Sequence, residues 1–292
     1  MRVNPDHHSS MLAALERVGK SEETVLAQLG SGRKIQKPSD DPAGLAALVN
    51  VQASSARSEQ YLKNISAVRS QMQAADSSLS SVVTAVERAL ALGVGGANGT
   101  LNDSGRQSVA TELEGIRDQL LELGNSSSQG MYFFAGTATT VKPFREVAGN
   151  VIYSGSEQGN QIVMGEGYSV TMNVPGTQIF GDDSNGIFAS IQKLADAVRN
   201  NGDVTAALDA VSKARDGVSK ARVVYGNSLN RIEGTKNTMK ERQLQLFQQE
   251  TEIAGADLAE VASQLSSAIT SRSALLAAIG KADSLSLFDY LT

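Results

Sequence analysis

The stretch ISAVRSQMQAADSSLSSVVTAVERA, Ile65 to Ala89, carries apolar residues at Ile65, Val68, Met72, Ala75, Leu79, Val82, Val86 and Ala89. Their steps are threes and fours without a miss, the period of a helix lying beside other helices at a small crossing angle. A strand would repeat every second residue, and this stretch does not. No proline falls between Ala43 and Lys142 or after Pro175. Nothing in the backbone therefore interrupts long helices on either side of the middle of the chain.

Outward from this stretch the same period recurs. Val109, Leu113, Ile116, Leu120 and Leu123 keep it, as do Val204, Leu208, Val211, Val218, Tyr225, Leu229, Ile232, Met239 and Leu246. Near the N-terminus Met11, Leu15, Val18, Val25 and Leu29 form a seam with one polar break at Glu22. Near the C-terminus the register slips at Gly255 and resumes as Leu258, Val261, Leu265, Ala268, Arg272, Leu275 and Ile279. The middle differs. Tyr132, Phe133, Phe134, Phe144, Tyr153, Tyr168 and Phe180 cluster there among Gly136, Gly149, Gly155, Gly165, Gly167 and Gly176. Aromatic runs punctuated by glycine read as short strands and turns.

The fold class is therefore mainly α with an inserted β-rich domain. We divide the chain into a terminal helical coiled-coil region (1–40 with 255–292), a central helical bundle (41–130 with 186–254) and an inserted β-rich surface domain (131–185). The insertion is expected to carry a small aromatic core of its own. Gly30 and Gly32 end the first helix, and Asp41 before Pro42 reads as a helix cap with proline at the first helical position. Gly93, Gly95, Gly96 and Gly99 read as a flexible loop, and Ser104 as the start of the next helix. Asp182 to Gly186 reads as a turn that leads back into helix at Ile187.

Composition excludes several functions. A net charge of −5 leaves no basic face for phosphates, so a nucleic-acid partner is not expected. The absence of cysteine removes disulfides, thiolate metal sites and thiol catalysis. The longest apolar run, Ala274 to Gly280, is far below the roughly 20 residues of a membrane span, so no membrane partner is expected, and no cleavable secretory signal is visible. His7-His8 lacks companions with metal-ligand spacing. Asp40-Asp41 beside Pro42 reads as capping rather than acid–base chemistry, and with both histidines in the N-terminal tail a Ser-His-Asp triad has no base. Gly93 to Gly99 is no dinucleotide fingerprint, since Asn98 takes the third glycine's place. No catalytic, cofactor or metal residue is assigned, and no enzymatic activity is expected.

Ser31-Gly32-Arg33-Lys34-Ile35 followed by Pro38-Ser39-Asp40-Asp41-Pro42-Ala43-Gly44 resembles the N-terminal signature of the bacterial flagellin superfamily. Asp257-Leu258-Ala259-Glu260 and the run Ser273 to Ile279 resemble its C-terminal helix. Pro42 after the paired aspartates, Tyr132-Phe133-Phe134-Ala135-Gly136 with Pro143-Phe144, and the ending Ser284 to Leu291 resemble its hook–filament junction branch rather than filament subunits. Gly30, Ser156 and His7-His8 depart from the common pattern. The resemblance implies long helices from both termini packed together, and a structural, extracellular flagellar subunit linking hook to filament. It implies self-association in a ring or short helical stack, contacts with a neighbouring hook-associated protein and flagellin, and type III export without a cleaved signal. It also implies a cytoplasmic chaperone on the C-terminal helix. Met11, Leu15, Val18, Val25, Leu29, Leu258, Val261, Leu265, Leu275 and Ile279 are the expected assembly interface, with Asp41 and Pro42 as helix cap. Flagellin itself, or a cytoplasmic coiled-coil scaffold, are the alternatives. Each terminal seam offers few fully apolar knobs against the ordering cost of a long segment, so ends that order on assembly, and early proteolysis at Arg33, Lys34 and Lys37, are expected.

Overall fold

The computed structural model describes residues 5–98, 101–165 and 167–290, with side chains described over 9–98, 101–165 and 167–281. In chain order the helices and strands are α1 (Pro5–Ser31), α2 (Pro42–Gly96), α3 (Asp103–Gly124), β1 (Ser127–Ser128), β2 (Met131–Tyr132), β3 (Phe144–Val147), β4 (Asn150–Tyr153), β5 (Gln161–Gly165), β6 (Tyr168–Thr171), α4 (Gly176–Phe180), α5 (Ile187–Arg199), α6 (Val204–Ala254) and α7 (Leu258–Tyr290). The chain divides into two units, one holding residues up to Arg57 together with those from Arg242 onward, the other Ser58–Glu241.

In the second unit the helical period is spent on burial. Ile65, Val68, Met72, Ala75, Leu79, Val82, Val86 and Ala89 are all at most 2% exposed. They share a core with Leu113, Ile116 and Leu120 of α3, Ile191 and Leu194 of α5, and Val211, Val218, Tyr225 and Ile232 of α6. One 18-residue window of α2 reaches a mean hydropathy of 1.2, but this buried stripe accounts for the helix's apolar side as protein core.

The glycines read as a loop after α2 lie inside it. A Cβ on Gly93 would stand 2.7 Å from Leu208 and 2.9 Å from Leu194, and one on Gly96 would stand 2.8 Å from Val198. Here glycine serves close approach of α2 to α5 and α6 and so outweighs its poor helix propensity. Gly99 falls outside the described residues. The cap of α3 is Asn102, whose Oδ1 accepts from the Gly105 N–H at 2.8 Å, rather than Ser104.

Three antiparallel two-stranded hairpins, β1–β2, β3–β4 and β5–β6, follow α3. Two of them close through two-residue turns in which both residues have positive φ, Gln129 (52°) with Gly130 (79°) and Ala148 (52°) with Gly149 (83°). Positive φ at both central positions marks the type I′ turn, whose twist matches a hairpin.

The aromatics of this region do not form a separate core. Phe144 sits with ring centroids 5.1 Å from Phe180 and 5.1 Å from Phe188 of α5. A Cβ on Gly124, at the end of α3, would meet Phe144 at 3.1 Å. Phe133, Phe134, Phe144, Met164, Met172 and Phe180 all belong to the same buried cluster as the helices. Asn125 fastens β3 to α3 as well: its side chain accepts from the Phe144 N–H at 2.9 Å and donates to the Phe144 carbonyl at 3.0 Å. So residues 131–185 are hairpins built onto the helical core, and the structure corrects the reading that gives them a core apart.

Arg117 of α3, only 7% exposed, pins the β3–β4 hairpin. It pairs with Glu146 at 2.7 Å and Asp118 at 3.2 Å, and donates to the Gly149 carbonyl at 3.0 Å. Tyr225 of α6 plays a similar part deeper down. Its hydroxyl accepts from the Val174 N–H at 3.2 Å, and burial pushes its pKa up to about 12. Burial disfavours the phenolate, so the folded pKa lies above the unfolded one. The resulting stability is complete below pH 10 and is lost as pH climbs from about 10 to about 12. At about 1.4 kcal/mol per pKa unit, that loss approaches 3 kcal/mol. Tyr225→Phe should be less stable at neutral pH by about 1 kcal/mol, since the Val174 N–H loses its acceptor. It should also lack this alkaline component, which urea melts at pH 8, 10 and 11.5 would reveal. Parallel loss of stability in both proteins above pH 10 would contradict it.

Candidate assembly interface

In the first unit, α1 and α7 run antiparallel. Arg33 bridges to Gly255 at one end of the pair, and Arg272 meets Glu22 at 2.9 Å further along. That ion pair explains two irregularities of the sequence at once. Glu22 breaks the α1 seam and Arg272 breaks the α7 seam, and the two breaks face each other.

The seam residues have different fates. Val25 (6% exposed) and Val261 (5%) are buried. Met11, Leu15, Val18, Leu265, Leu275 and Ile279 are half-buried, while Leu29 and Leu258 are exposed at 39% and 53%. Paired only with each other, α1 and α7 thus leave much of their heptad stripe uncovered. A shallow groove of about 350 Å³, lined by Val18, Ser21, Ser263, Gln264, Ser267 and Ser271, runs along the pair.

A second stripe escaped the seam reading. Leu12 (50% exposed), Leu26 (49%), Ile269 (48%) and Leu276 (51%) remain exposed beside the seam. Each follows a seam residue (Met11, Val25, Ala268, Leu275), so it lies about 100° further round its helix. The signal was present in the sequence: Leu12 and Leu26 stand two heptads apart, Ile269 and Leu276 one heptad apart.

Between α1 and α2 the chain forms a strap, residues 32–41. Asp41 lies just outside α2, its Oδ1 accepting from the Gly44 N–H at 2.8 Å, and Pro42 is the first helical residue. Asp40 Oδ2 accepts from the N–H groups of Lys37 at 2.8 Å and Gln36 at 3.0 Å, which hold its carboxyl below the usual carboxylate range. The strap is tied down rather than loose. Lys34 N–H donates to the Ala254 carbonyl at 2.8 Å, and Ala256 N–H donates to Gly32 at 3.0 Å. The side chains of His7, His8 and Ser284 to Leu291 lie outside those described. Among the described residues no cluster of His, Cys, Asp and Glu has the makings of a metal site.

Comparison with known proteins adds the ancestry. The profile of the bacterial flagellin N-terminal helical region matches residues 7–139. Over 255 residues, 79% of this chain and 80% of the relative, the sequence is 30% identical to flagellar hook-associated protein 3 of Escherichia coli K12. The chain belongs to the flagellar hook-associated protein 3 family. A flagellin of Listeria innocua is also related, at 23% identity over 82% of this chain and 80% of that protein. Among solved structures, a putative flagellar hook-associated protein from Vibrio parahaemolyticus superposes with a TM-score of 0.70. It covers 74% of this chain and all of its own at 22% identity. A hook-associated protein 3 is thus the setting in which the paired α1 and α7, the strap and the hairpin-bearing core are to be understood.

Proposed function

We propose that this chain is the structural subunit that links hook to filament in the bacterial flagellum, joined to its neighbours through α1 and α7. The observation that carries the reading is the incomplete burial of the terminal pair. Its seam is half-covered, and Leu12, Leu26, Leu29, Leu258, Ile269 and Leu276 remain apolar and exposed. An outward apolar stripe on a helical pair is a surface for further helices, and copies of the same chain in a ring or short stack supply them. The seam then holds α1 to α7, and the second stripe holds one subunit to the next and to the adjoining axial proteins. Because the pair buries so little alone, its full order comes with assembly. The role needs no catalysis. Export without a cleaved signal, with a chaperone covering the apolar side of α7 beforehand, fits the same surface.

The test is deletion of the gene in its own host. The mutant should swim poorly, lack filaments and release filament subunits into the medium, and the intact gene should restore all three. Normal filaments in the mutant would refute the reading. Labelled chain at the filament base would distinguish this role from that of a flagellin, which would label the filament along its length.

A further inference from the structure

Helix α5 begins without a side-chain cap, because its N-cap is Gly186. A Cβ there would stand 2.5 Å from the carbonyl oxygens of both Asp182 and Phe180, so no capping residue fits. Ser190 N–H returns to the Gly186 carbonyl at 3.0 Å, but the N–H groups of Ile187, Phe188 and Ala189 meet no acceptor among the described residues. Free donors at the positive end of a helix favour an anion. A cavity of about 470 Å³ lies beside this helix start, lined by α4, α5 and α6. Its floor is apolar, Ile179 and Phe180 being 2% and 1% exposed, and Ala206, Ala210 and Ala214 of α6 leave it room. Ser190 lines it too and is 2% exposed, yet its hydroxyl makes no hydrogen bond among the described residues. A buried hydroxyl left unpaired is costly, and the cavity is where a partner can reach it.

The charges of the lining point the same way. Lys193 Nζ donates to the Ser184 carbonyl at 3.0 Å, and an ammonium keeps further protons for a ligand. Lys213 is paired with Asp209 at 2.8 Å, so with Lys193 beside that pair the lining stays net positive. Asp182, just before the helix, is already occupied by the N–H groups of Ser184 at 3.1 Å and Asn185 at 2.6 Å. We propose that the cavity binds a small aliphatic monocarboxylate, its head on the α5 start, Ser190 and Lys193, its short body on Ile179 and Phe180. An apolar floor with a few convergent donors is the usual make-up of a small-molecule site. One surplus positive charge matches a single carboxylate better than a doubly charged phosphate. The whole site lies within the second unit and does not rest on the flagellar role proposed above.

Calorimetric titration of the purified full chain with butyrate tests the site, with butyramide and inorganic phosphate as companions. Butyrate should bind saturably with a Kd of about 1–10 mM, within reach of so small a ligand. Butyramide has the same shape without the charge and should bind about tenfold more weakly. Phosphate lacks an apolar body and should also be weaker. Ser190→Ala and Lys193→Gln should each weaken butyrate by about tenfold, the value of a hydrogen bond to a charged group. Lys193 is exposed, so its substitution leaves the fold intact. Ala210→Leu, which puts a branched side chain into the cavity, should abolish binding while near-ultraviolet circular dichroism stays native. No saturable butyrate binding by about 100 mM, or equal binding by a folded Ala210→Leu chain, would overturn the site. Full affinity in Lys193→Gln, or butyramide as tight as butyrate, would overturn the anion assignment. Phosphate binding more tightly than butyrate would overturn the monocarboxylate.

Discussion

Phe180→Ala should lower the melting temperature of the helical core unit by about 10 °C or more. Phe180 is 1% exposed and lies within a cluster of rings. Phe134 is 5.3 Å away edge-on, Phe144 is 5.1 Å away edge-on, and Phe188 is 5.6 Å away and stacked. Truncation removes the transfer free energy of the ring and leaves a void that these partners, held by three different elements, cannot close together. Buried Phe→Ala changes cost about 3–5 kcal/mol, and lost ring pairs add to this. Each kcal/mol is worth roughly 2–4 °C in a unit of this size. Phe180→Leu should recover more than half the loss, because it refills most of the volume. Melts followed by near-ultraviolet circular dichroism, which reports aromatic packing, would check both. A shift below about 3 °C would mean the hairpins do not share the helical core.

The second large effect concerns assembly alone. Ile269→Asp should leave the purified chain's melting nearly unchanged, within about 0.5 kcal/mol, since the side chain is already 48% exposed. In an assembled flagellum the same change buries a carboxylate against apolar neighbours and forfeits about 1.5–3 kcal/mol of isoleucine burial. A combined penalty of about 4 kcal/mol or more per contact is about a thousandfold in association, so incorporation should fail. Leu265→Asp provides the contrast. Leu265 lies on the half-buried seam, so its substitution should loosen α1 from α7 in the free chain as well as block assembly. Immunoblots of sheared flagella, set beside amide exchange across α1, would separate the two. If Ile269→Asp assembles normally while Leu265→Asp does not, the second stripe is mere surface.

How far the sequence could be read depended on whether a signal was periodic. The Ile65–Ala89 seam was legible residue by residue because burial in a helix follows a fixed angle. Gly93 and Gly96 were misread because glycine carries the same local signal whether it ends a helix or lets another helix approach. Only Leu194, Leu208 and Val198, distant in sequence, decide between the two. The meeting of Phe144 with Phe188 was invisible for the same reason, being a contact between a hairpin and a helix with no shared period. Arg117 gave no warning of burial either; its partners Glu146 and Gly149 reach it only once the β3–β4 hairpin has folded back. At the candidate interface, the sequence reading named one seam and passed over the stripe beside it. The heptad reading assigns one apolar face per helix, whereas α1 and α7 each carry two.

The Ala148–Gly149 turn has an implication for how this protein can be altered. Both residues sit at positive φ, an expense for alanine that asparagine bears more easily, so the turn keeps its shape because the strands on either side hold it. Register is set further down the hairpin, where Phe144 opposes Tyr153 and Arg117 grips Glu146. The exposed tip can therefore take added sequence on its Ala148 side, since closing a longer loop costs little more entropy than closing a short one, provided the Gly149 carbonyl keeps its bond to Arg117. An epitope or affinity tag spliced between Ala148 and Gly149 would then ride on the fold without entering its core, so long as Arg117 still reaches the Gly149 carbonyl.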